Sequence, residues 1–485
     1  MRIRVVAHYL GLLVIVLGLF MILPLAWSLY HQEPDSLPFA ISAGITIVAG
    51  LLLWRLMPGG EGNLTRREGL ALVAWAWILA SFFGAFPYQL AGTFPSYLDA
   101  YFEAMSGFST TGATVLTSIE NQPQGILLWR NFTQWLGGMG IVTFFVALFP
   151  MLGLGASRLY EAEMPGPQPE RLAGSIRDTA RALWWLYIGL SALEILLLRI
   201  GGRIPLFDAL TITFGTMPTG GFLPLNLSIG AYNDSVFITS TVTFFMVMAG
   251  VNFSLYYYFL VKHQPRRLFA NPEFRLYIAI LLGASLIIML DLMRNMGQPV
   301  GEAFRYATFQ AVSIQTTTGF TTANFDAWPS LSRSILLTLM IVGASAGSTG
   351  GALKVVRILV LAKCAFRQVF LAFSPRSIIP LKLGETVLPE SVTSGIVGIS
   401  ILYFAALIIG SLIMSAMGLD NITAFSSVAA TLGNVGPGLG SVGPAGNYFF
   451  LPPPGKIVLI LCMLVGRLEF FTVLALIIPA FWRWR

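Results

Sequence analysis

Thr110-Thr111-Gly112-Ala113, Pro218-Thr219-Gly220-Gly221, Thr317-Thr318-Gly319-Phe320 and Asn434-Val435-Gly436-Pro437 recur at near-regular intervals along a chain that is otherwise compatible with lipid. Each follows a moderately polar, helix-like segment too short to span a bilayer and precedes a long apolar one, the pattern of a re-entrant loop. Non-helical backbone is tolerated at membrane depth only where protein buries it or a watery cavity meets it. Four copies in one polypeptide therefore predict a pore whose whole ring one chain builds. A single stretch of this kind also reads as an ordinary Gly/Thr-rich turn, but four in register argue against that. Glycine at Gly112, Gly220, Gly319 and Gly436 permits backbone conformations closed to other residues and a close approach to an axis.

The 485 residues are 56% hydrophobic and 11% charged, with a mean hydropathy of +0.76, which excludes a soluble domain of this size. Apolar runs of about 20 residues, rather than alternating segments of about 10, argue against a transmembrane barrel. Ten helical spans are expected: 5–30 and 37–57 first, then 69–90 with 126–150, 181–200 with 235–260, 274–291 with 332–364, and 392–417 with 456–480. Inside each of the four pairs lies a short segment ending at a glycine signature, at 97–110, 207–217, 302–316 and 420–432. The expected fold class is an all-α integral membrane protein with four outer-helix, pore-helix, filter, inner-helix repeats in pseudo-fourfold symmetry. Residues 1–60 hold two extra helices. The repeats fill 61–155, 156–265 (with a connector at 156–178), 266–385 and 386–485. The run from Val5 to Tyr30 lacks a small-residue cleavage pattern and reads as a retained helix.

Charge orients this topology. With a cytoplasmic amino terminus, only Arg130, Arg203, Arg294, Arg305, Arg333 and Lys456 fall near the outside, and Arg199 and Arg467 lie within helices. The rest of the 29 basic residues face inward, including Lys354, Arg357, Lys363, Arg367, Arg376 and Lys382 in one segment. An even number of spans then places both termini in the cytoplasm.

No Asp or Glu lies inside the four signatures, so their chemistry is that of main-chain oxygens, which can replace the hydration shell of a bare cation. Asp99, Glu103, Glu120, Asp208, Asp234, Asp326 and Asp420 lie nearby on the outer side. They read either as a field that concentrates cations or as a solvated rim, and Asp208 and Asp420 open pore helices as caps or dipole partners. His8, His31 and His263 are scattered, which gives no support for a metal site. Cys364 and Cys462 suggest no disulfide framework. The net charge of +7 needs no nucleic acid, no nucleotide-binding fingerprint is present, and no catalytic groups cluster, so an enzyme is not expected.

Two features lie below the signatures. Between Ile341 and Leu353 the third inner segment reads Val342-Gly343-Ala344-Ser345-Ala346-Gly347-Ser348-Thr349-Gly350-Gly351-Ala352. This is either close helix packing through small residues or a helix break at mid-membrane depth. Arg467, nearly halfway along the last inner helix, is an intramembrane charge and so a functional candidate, with snorkelling or a carboxylate partner on another helix as alternatives. Glu469 is two residues on and points elsewhere around the helix.

The longer motifs around the signatures are Ser109-Thr110-Thr111-Gly112-Ala113-Thr114, Thr216-Met217-Pro218-Thr219-Gly220-Gly221-Phe222, Gln315-Thr316-Thr317-Thr318-Gly319-Phe320-Thr321-Thr322 and Leu432-Gly433-Asn434-Val435-Gly436-Pro437-Gly438. In this order they resemble the Trk/Ktr/HKT superfamily of cation transporters, and within it the membrane subunit of the bacterial Trk type, over essentially the whole chain. The resemblance implies a fold similar to potassium channels. It also implies a K+ filter of main-chain oxygens at Thr110, Thr111, Gly112, Thr219, Gly220, Thr317, Thr318, Gly319, Asn434, Val435 and Gly436. A serine at the first filter glycine accompanies sodium transport in that superfamily. Gly112 therefore implies potassium uptake, with a sodium- or proton-coupled symporter of the same fold as the alternative. Asn434 and Val435, in place of paired threonines, depart from fourfold symmetry.

The resemblance further implies a gate. The intramembrane loop would comprise Gly343, Ser345, Gly347, Ser348, Thr349, Gly350 and Gly351. Arg467 would face the cavity beneath the filter, weakening ion residence or holding the loop through its backbone oxygens. A homodimer in the bacterial inner membrane is implied, with a cytoplasmic ring of the regulatory subunit TrkA, which binds NAD and ATP, docked on the 156–178 connector and the basic segment. No organic cofactor is expected in this chain.

Overall fold

The computed structural model describes residues 1–57, 64–140, 176–384 and 386–483. Helix α1 (Ile3–Phe20) continues into α2 (Ile22–Tyr30) as one span, and α3 (Ser36–Leu56) returns beside it. The two strands of this hairpin of helices cross at glycines: a Cβ on Gly11 would sit 2.8 Å from Gly50 O, and one on Gly50 2.7 Å from Ile15 N. Small residues let the backbones touch, which is the main source of contact where lipid competes for every apolar side chain.

Helix α4 (Arg66–Gly84) opens with a capping box. Thr65 Oγ1 accepts from Glu68 N at 3.3 Å, and the Glu68 carboxylate accepts from Thr65 N at 2.8 Å. The same carboxylate receives Arg2 Nε and Nη2, each at 3.0 Å, so one buried glutamate starts α4 and pins the first helix. After α4 come α5 (Tyr97–Phe108) and α6 (Gln124–Gly138), then α7 (Ile176–Leu196), α8 (Leu206–Thr216) and α9 (Val236–Ala249). Next are α10 (Pro272–Met296), α11 (Val300–Gln315), α12 (Ser330–Ile341) and α13 (Val355–Phe373), then α14 (Glu390–Ala416), α15 (Asn421–Leu432) and α16 (Pro453–Ile477). A short antiparallel hairpin, Lys382–Leu383 with Thr386–Val387, joins α13 to α14.

The four short segments are helices α5, α8, α11 and α15. Ser96 and Asp420 cap α5 and α15 by accepting from Asp99 N at 3.2 Å and Thr423 N at 3.1 Å, while α8 and α11 start behind Pro205 and Pro299. The Asp420 reading as a cap holds in the geometry; Asp208 lies in the first turn of α8.

The long spans are less regular than ten straight helices. Among the described residues, seven helices are long and apolar enough to cross, and one further pair is bent by 98°, Val236–Ala249 with Phe253–Val261. Gly250-Val251-Asn252 breaks that expected 235–260 span, and Asn252 Oδ1 caps the new start by accepting from Ser254 N at 2.9 Å. The 332–364 span is interrupted between α12 and α13. The second half of 126–150 lies outside the described residues, as does most of the 156–178 connector. In α16, Glu469 takes a non-helical φ of 60°.

Two outer acids are not a solvated rim. Glu103 is fully buried and meets Arg130 Nε at 2.6 Å, and Asp99 meets Lys456 Nζ at 2.5 Å. Glu103 also accepts from Thr114 Oγ1 at 2.8 Å and Val115 N at 2.9 Å, so it fastens the exit of the first signature. Breaking a buried pair by removing one partner leaves an uncompensated charge. Arg130→Met is expected to cost about 3–5 kcal/mol of stability, read as a large fall in thermal midpoint in detergent, and adding Glu103→Gln should restore part of it.

Candidate functional site: four loops and the segment beneath them

The four signatures share one backbone course. Thr110, Thr219, Thr317 and Asn434 take left-handed φ of 55°, 56°, 62° and 53°. Their N–H groups donate to Gly107, Thr216, Ile314 and Thr431 O, and the next residues, Thr111, Gly220, Thr318 and Val435, donate to Ser106, Gly215, Ser313 and Ala430 O. The third residues, Gly112, Gly221, Gly319 and Gly436, have φ of 80°, 80°, 79° and 97°. A non-glycine residue in this region costs about 1–2 kcal/mol, so four at one level require packing that over-determines them.

This course corrects the register of the second loop. Gly221, rather than Gly220, is the counterpart of Gly112, and Gly220 stands where the other loops carry Thr111, Thr318 and Val435. The Gly-Gly pair offered two alignments, and the left-handed φ of 80° at Gly221 chooses between them.

The loops close on one another. A Cβ on Gly112 would fall against Gly220 O, one on Gly221 against Thr318 O, and one on Gly319 against Val435 O. One on Gly436 would lie 2.7 Å from Thr111 O, which returns the circuit to the first loop. Glycine is thus required at each step by both φ and space. Outside this circuit lies a cavity of about 260 Å³ lined by Gly112, Gly221, Gly319 and Gly436 with Thr114, Asn226 and Asn447. Beneath it lies a smaller cavity of about 70 Å³, lined by Gly138, Gly347, Gly350, Lys354, Arg357, Arg467 and Glu469.

The 342–354 segment sits between the two. It begins and ends in register, with Gly343 N donating to Leu353 O at 3.0 Å and Leu353 N to Ile341 O at 3.1 Å. The carbonyls freed by the bend after α9 receive it: Ser345 N donates to Gly250 O at 3.0 Å and Thr349 N to Ala249 O at 3.3 Å. Backbone that leaves a helix inside a membrane must find such partners, and the two breaks supply each other. Upward, Gly351 N donates to Thr317 Oγ1 at 2.7 Å, and Thr349 Oγ1 to Met217 O at 3.1 Å. From α10, the buried Glu273 accepts from Ala346 N at 2.6 Å and Val356 N at 3.1 Å. Lys354 Nζ donates to Gly350 O.

Arg467 joins three parts of the chain. Its Nη1 donates to Thr349 O at 2.8 Å, and Nη2 to Gly137 O at 2.6 Å and Gly138 O at 2.7 Å, carbonyls of the last turn of α6. Glu469 turns away from it and pairs with Arg357 of α13. All predicted residues of the loops, the segment and Arg467 therefore gather in one column. Sequence reading missed Asn131, Gln134, Glu273 and the Arg357–Glu469 pair. Their signal was available: buried polar side chains in otherwise apolar segments.

A polytopic helical membrane protein whose re-entrant loops close into a ring between two cavities belongs to the class of transport proteins. The chain is a member of the TrkH family of cation transport proteins, whose model matches residues 38–483. It is 38% identical to the Trk system potassium uptake protein TrkH of Salmonella typhimurium and 37% identical to that of Halomonas elongata, in both cases over 100% of the two chains. It is also similar to the crystal structure of the potassium transporter TrkH from Vibrio parahaemolyticus, with a TM-score of 0.89 and 34% identity over 100% of both chains.

Proposed function

We propose that this chain translocates K+ across the bacterial inner membrane through a single central pore. The observation that carries this reading is the closed circuit in which each loop's third-position glycine abuts the next loop's carbonyl. Carbonyl oxygens at that density replace the waters of a bare cation without binding it as tightly as a carboxylate. The names of the relatives, potassium uptake proteins, support potassium as the cargo. In this reading the four repeats, with boundaries at 61–155, 156–265, 266–385 and 386–485, surround the pore with pseudo-fourfold symmetry, and both termini are cytoplasmic. The filter comprises Thr110–Gly112, Thr219–Gly221, Thr317–Gly319 and Asn434–Gly436.

The 342–354 segment is the gate. Gly343, Ser345, Gly347, Ser348, Thr349, Gly350 and Gly351 fill the path beneath the filter, and Arg467 holds them closed through Thr349 O. Lys354 and Arg467 disfavour a cation in the inner cavity while the segment is in place, whereas the Arg357 charge is offset there by Glu469. Opening requires α13 to draw the segment away, which suits control by a cytoplasmic ring of TrkA binding NAD or ATP, acting on a homodimer.

Purified protein in vesicles tests the proposal. The reversal potential is expected to follow the K+ gradient alone. A potential displaced by imposed Na+ or H+ gradients would replace the pore by a coupled symporter, and no K+ flux would overturn both.

A further inference from the structure

Gly220 and Gly436 differ from the other ring residues in what touches their carbonyl oxygens. Gln134 of α6 is fully buried, and its Nε2 donates to Gly220 O at 2.6 Å while its Oε1 accepts from Phe222 N at 2.9 Å. These two partners fix the amide's orientation, since a flipped amide would face like against like. The Gln134 side chain also fills the space of the absent Gly220 side chain: a Cβ there would lie 2.5 Å from Gln134 Cδ. In the fourth loop, Tyr448 Oη donates to Gly436 O at 2.7 Å, and Tyr448 N donates to Thr114 O at 2.8 Å.

The neighbours of these residues strengthen the clamp on the second loop. Asn131 Nδ2 donates to Thr211 O at 2.9 Å and Phe222 O at 2.6 Å, and the Arg130 guanidinium lies 3.5 Å above the Phe222 ring. Residues 130, 131 and 134 thus form one polar face of α6 turned onto the second loop. In the first and third loops the side-chain hydrogen bonds engage hydroxyls or the carbonyl after the glycine: Ser109 with Thr111 at 2.7 Å, Thr316 with Thr318 at 2.8 Å, Asn434 Nδ2 to Thr111 Oγ1 at 2.9 Å, and Ser313 Oγ to Phe320 O at 2.6 Å.

We propose that Gln134 and Tyr448 are selectivity-determining positioning residues of the pore. Each donates to a filter carbonyl from outside the loop, Gln134 at the second position of the second loop and Tyr448 at the third position of the fourth, and these two loops are opposite in the circuit. The inference rests on the filter reading above. A carbonyl held by a buried donor keeps its place when a smaller ion would draw it inward, whereas an unheld one follows the ion. Two opposite walls are therefore stiff, and discrimination between K+ and Na+ depends on them.

Tyr448→Phe deletes a single hydroxyl, and Gln134→Met removes both amide contacts at similar volume. Gln134→Glu keeps the acceptor for Phe222 N and, ionised, loses the donor to Gly220 O. Bi-ionic reversal potentials in vesicles are expected to show a K+/Na+ permeability ratio about fivefold lower for each; the thermal midpoint should stay near wild type in Tyr448→Phe and fall in the Gln134 variants, which leave buried partners unsatisfied. If Gln134→Met does not fold, Gln134→Glu and Tyr448→Phe carry the test. Wild-type ratios in the folded variants overturn the inference while leaving the filter reading intact. A wild-type protein without K+ preference overturns the filter reading itself.

Discussion

Gly112→Ser will reduce discrimination against Na+ more than it reduces total cation flux. At φ 80° a side chain is strained by about 1–2 kcal/mol, and the added Cβ would fall against Gly220 O. That carbonyl cannot move freely, because Gln134 Nε2 donates to it at 2.6 Å. The first loop must move instead, and its carbonyls leave the ring while the other three walls stay. A cation still passes, but it meets three-quarters of its oxygens in place, and a distorted site no longer penalises the smaller ion. The K+/Na+ permeability ratio should drop about tenfold, which corresponds to about 1.4 kcal/mol of lost preference. An unchanged ratio in folded, reconstituted Gly112→Ser would show that this glycine serves packing alone. Gly221→Ser should behave in the same way, since its Cβ meets Thr318 O, whereas Gly220→Ser meets the Gln134 side chain and should both destabilise the protein and lower the ratio by displacing that side chain.

That contrast marks where sequence reading stopped. The short helices, the signatures and the small-residue segment were legible, because hydropathy and glycine spacing report directly on which backbone can lie in lipid. The register at Gly220-Gly221 was not, since two adjacent glycines satisfy the same local rule and only the left-handed φ of 80° at Gly221 and its approach to a carbonyl on another loop separate them. The bend at Gly250 lay within reach, as Gly-Val-Asn is a break signal inside an apolar run. Its purpose was not, because the carbonyls it frees are taken up by residues nearly a hundred positions away. Glu103 and Asp99 illustrate the same limit: sequence places a carboxylate near the outer surface, and only packing shows it buried against Arg130 or Lys456.

Arg467 carries the second large effect. Its guanidinium makes three hydrogen bonds, to Thr349, Gly137 and Gly138 carbonyl oxygens, and one of these partners belongs to the segment beneath the filter. Hydrogen bonds to a charged group contribute about 1.5–3 kcal/mol, so losing the Thr349 contact should favour the open state by about tenfold or more. Arg467→Gln is therefore expected to raise K+ flux. Loss of the charge acts in the same direction, because a cation in the inner cavity no longer faces it. Arg467→Lys separates the two effects: it keeps the charge but replaces the planar fork by a point donor, and cannot span Thr349 and the end of α6 together. If hydrogen bonding dominates, both variants raise flux alike; if charge dominates, Lys stays near wild type while Gln rises. Wild-type flux in both, across a range of K+ concentrations and with normal thermal stability, would remove Arg467 from the gate and leave the segment to its other partners, among them Gly250, Ala249, Glu273, Thr317 and Met217.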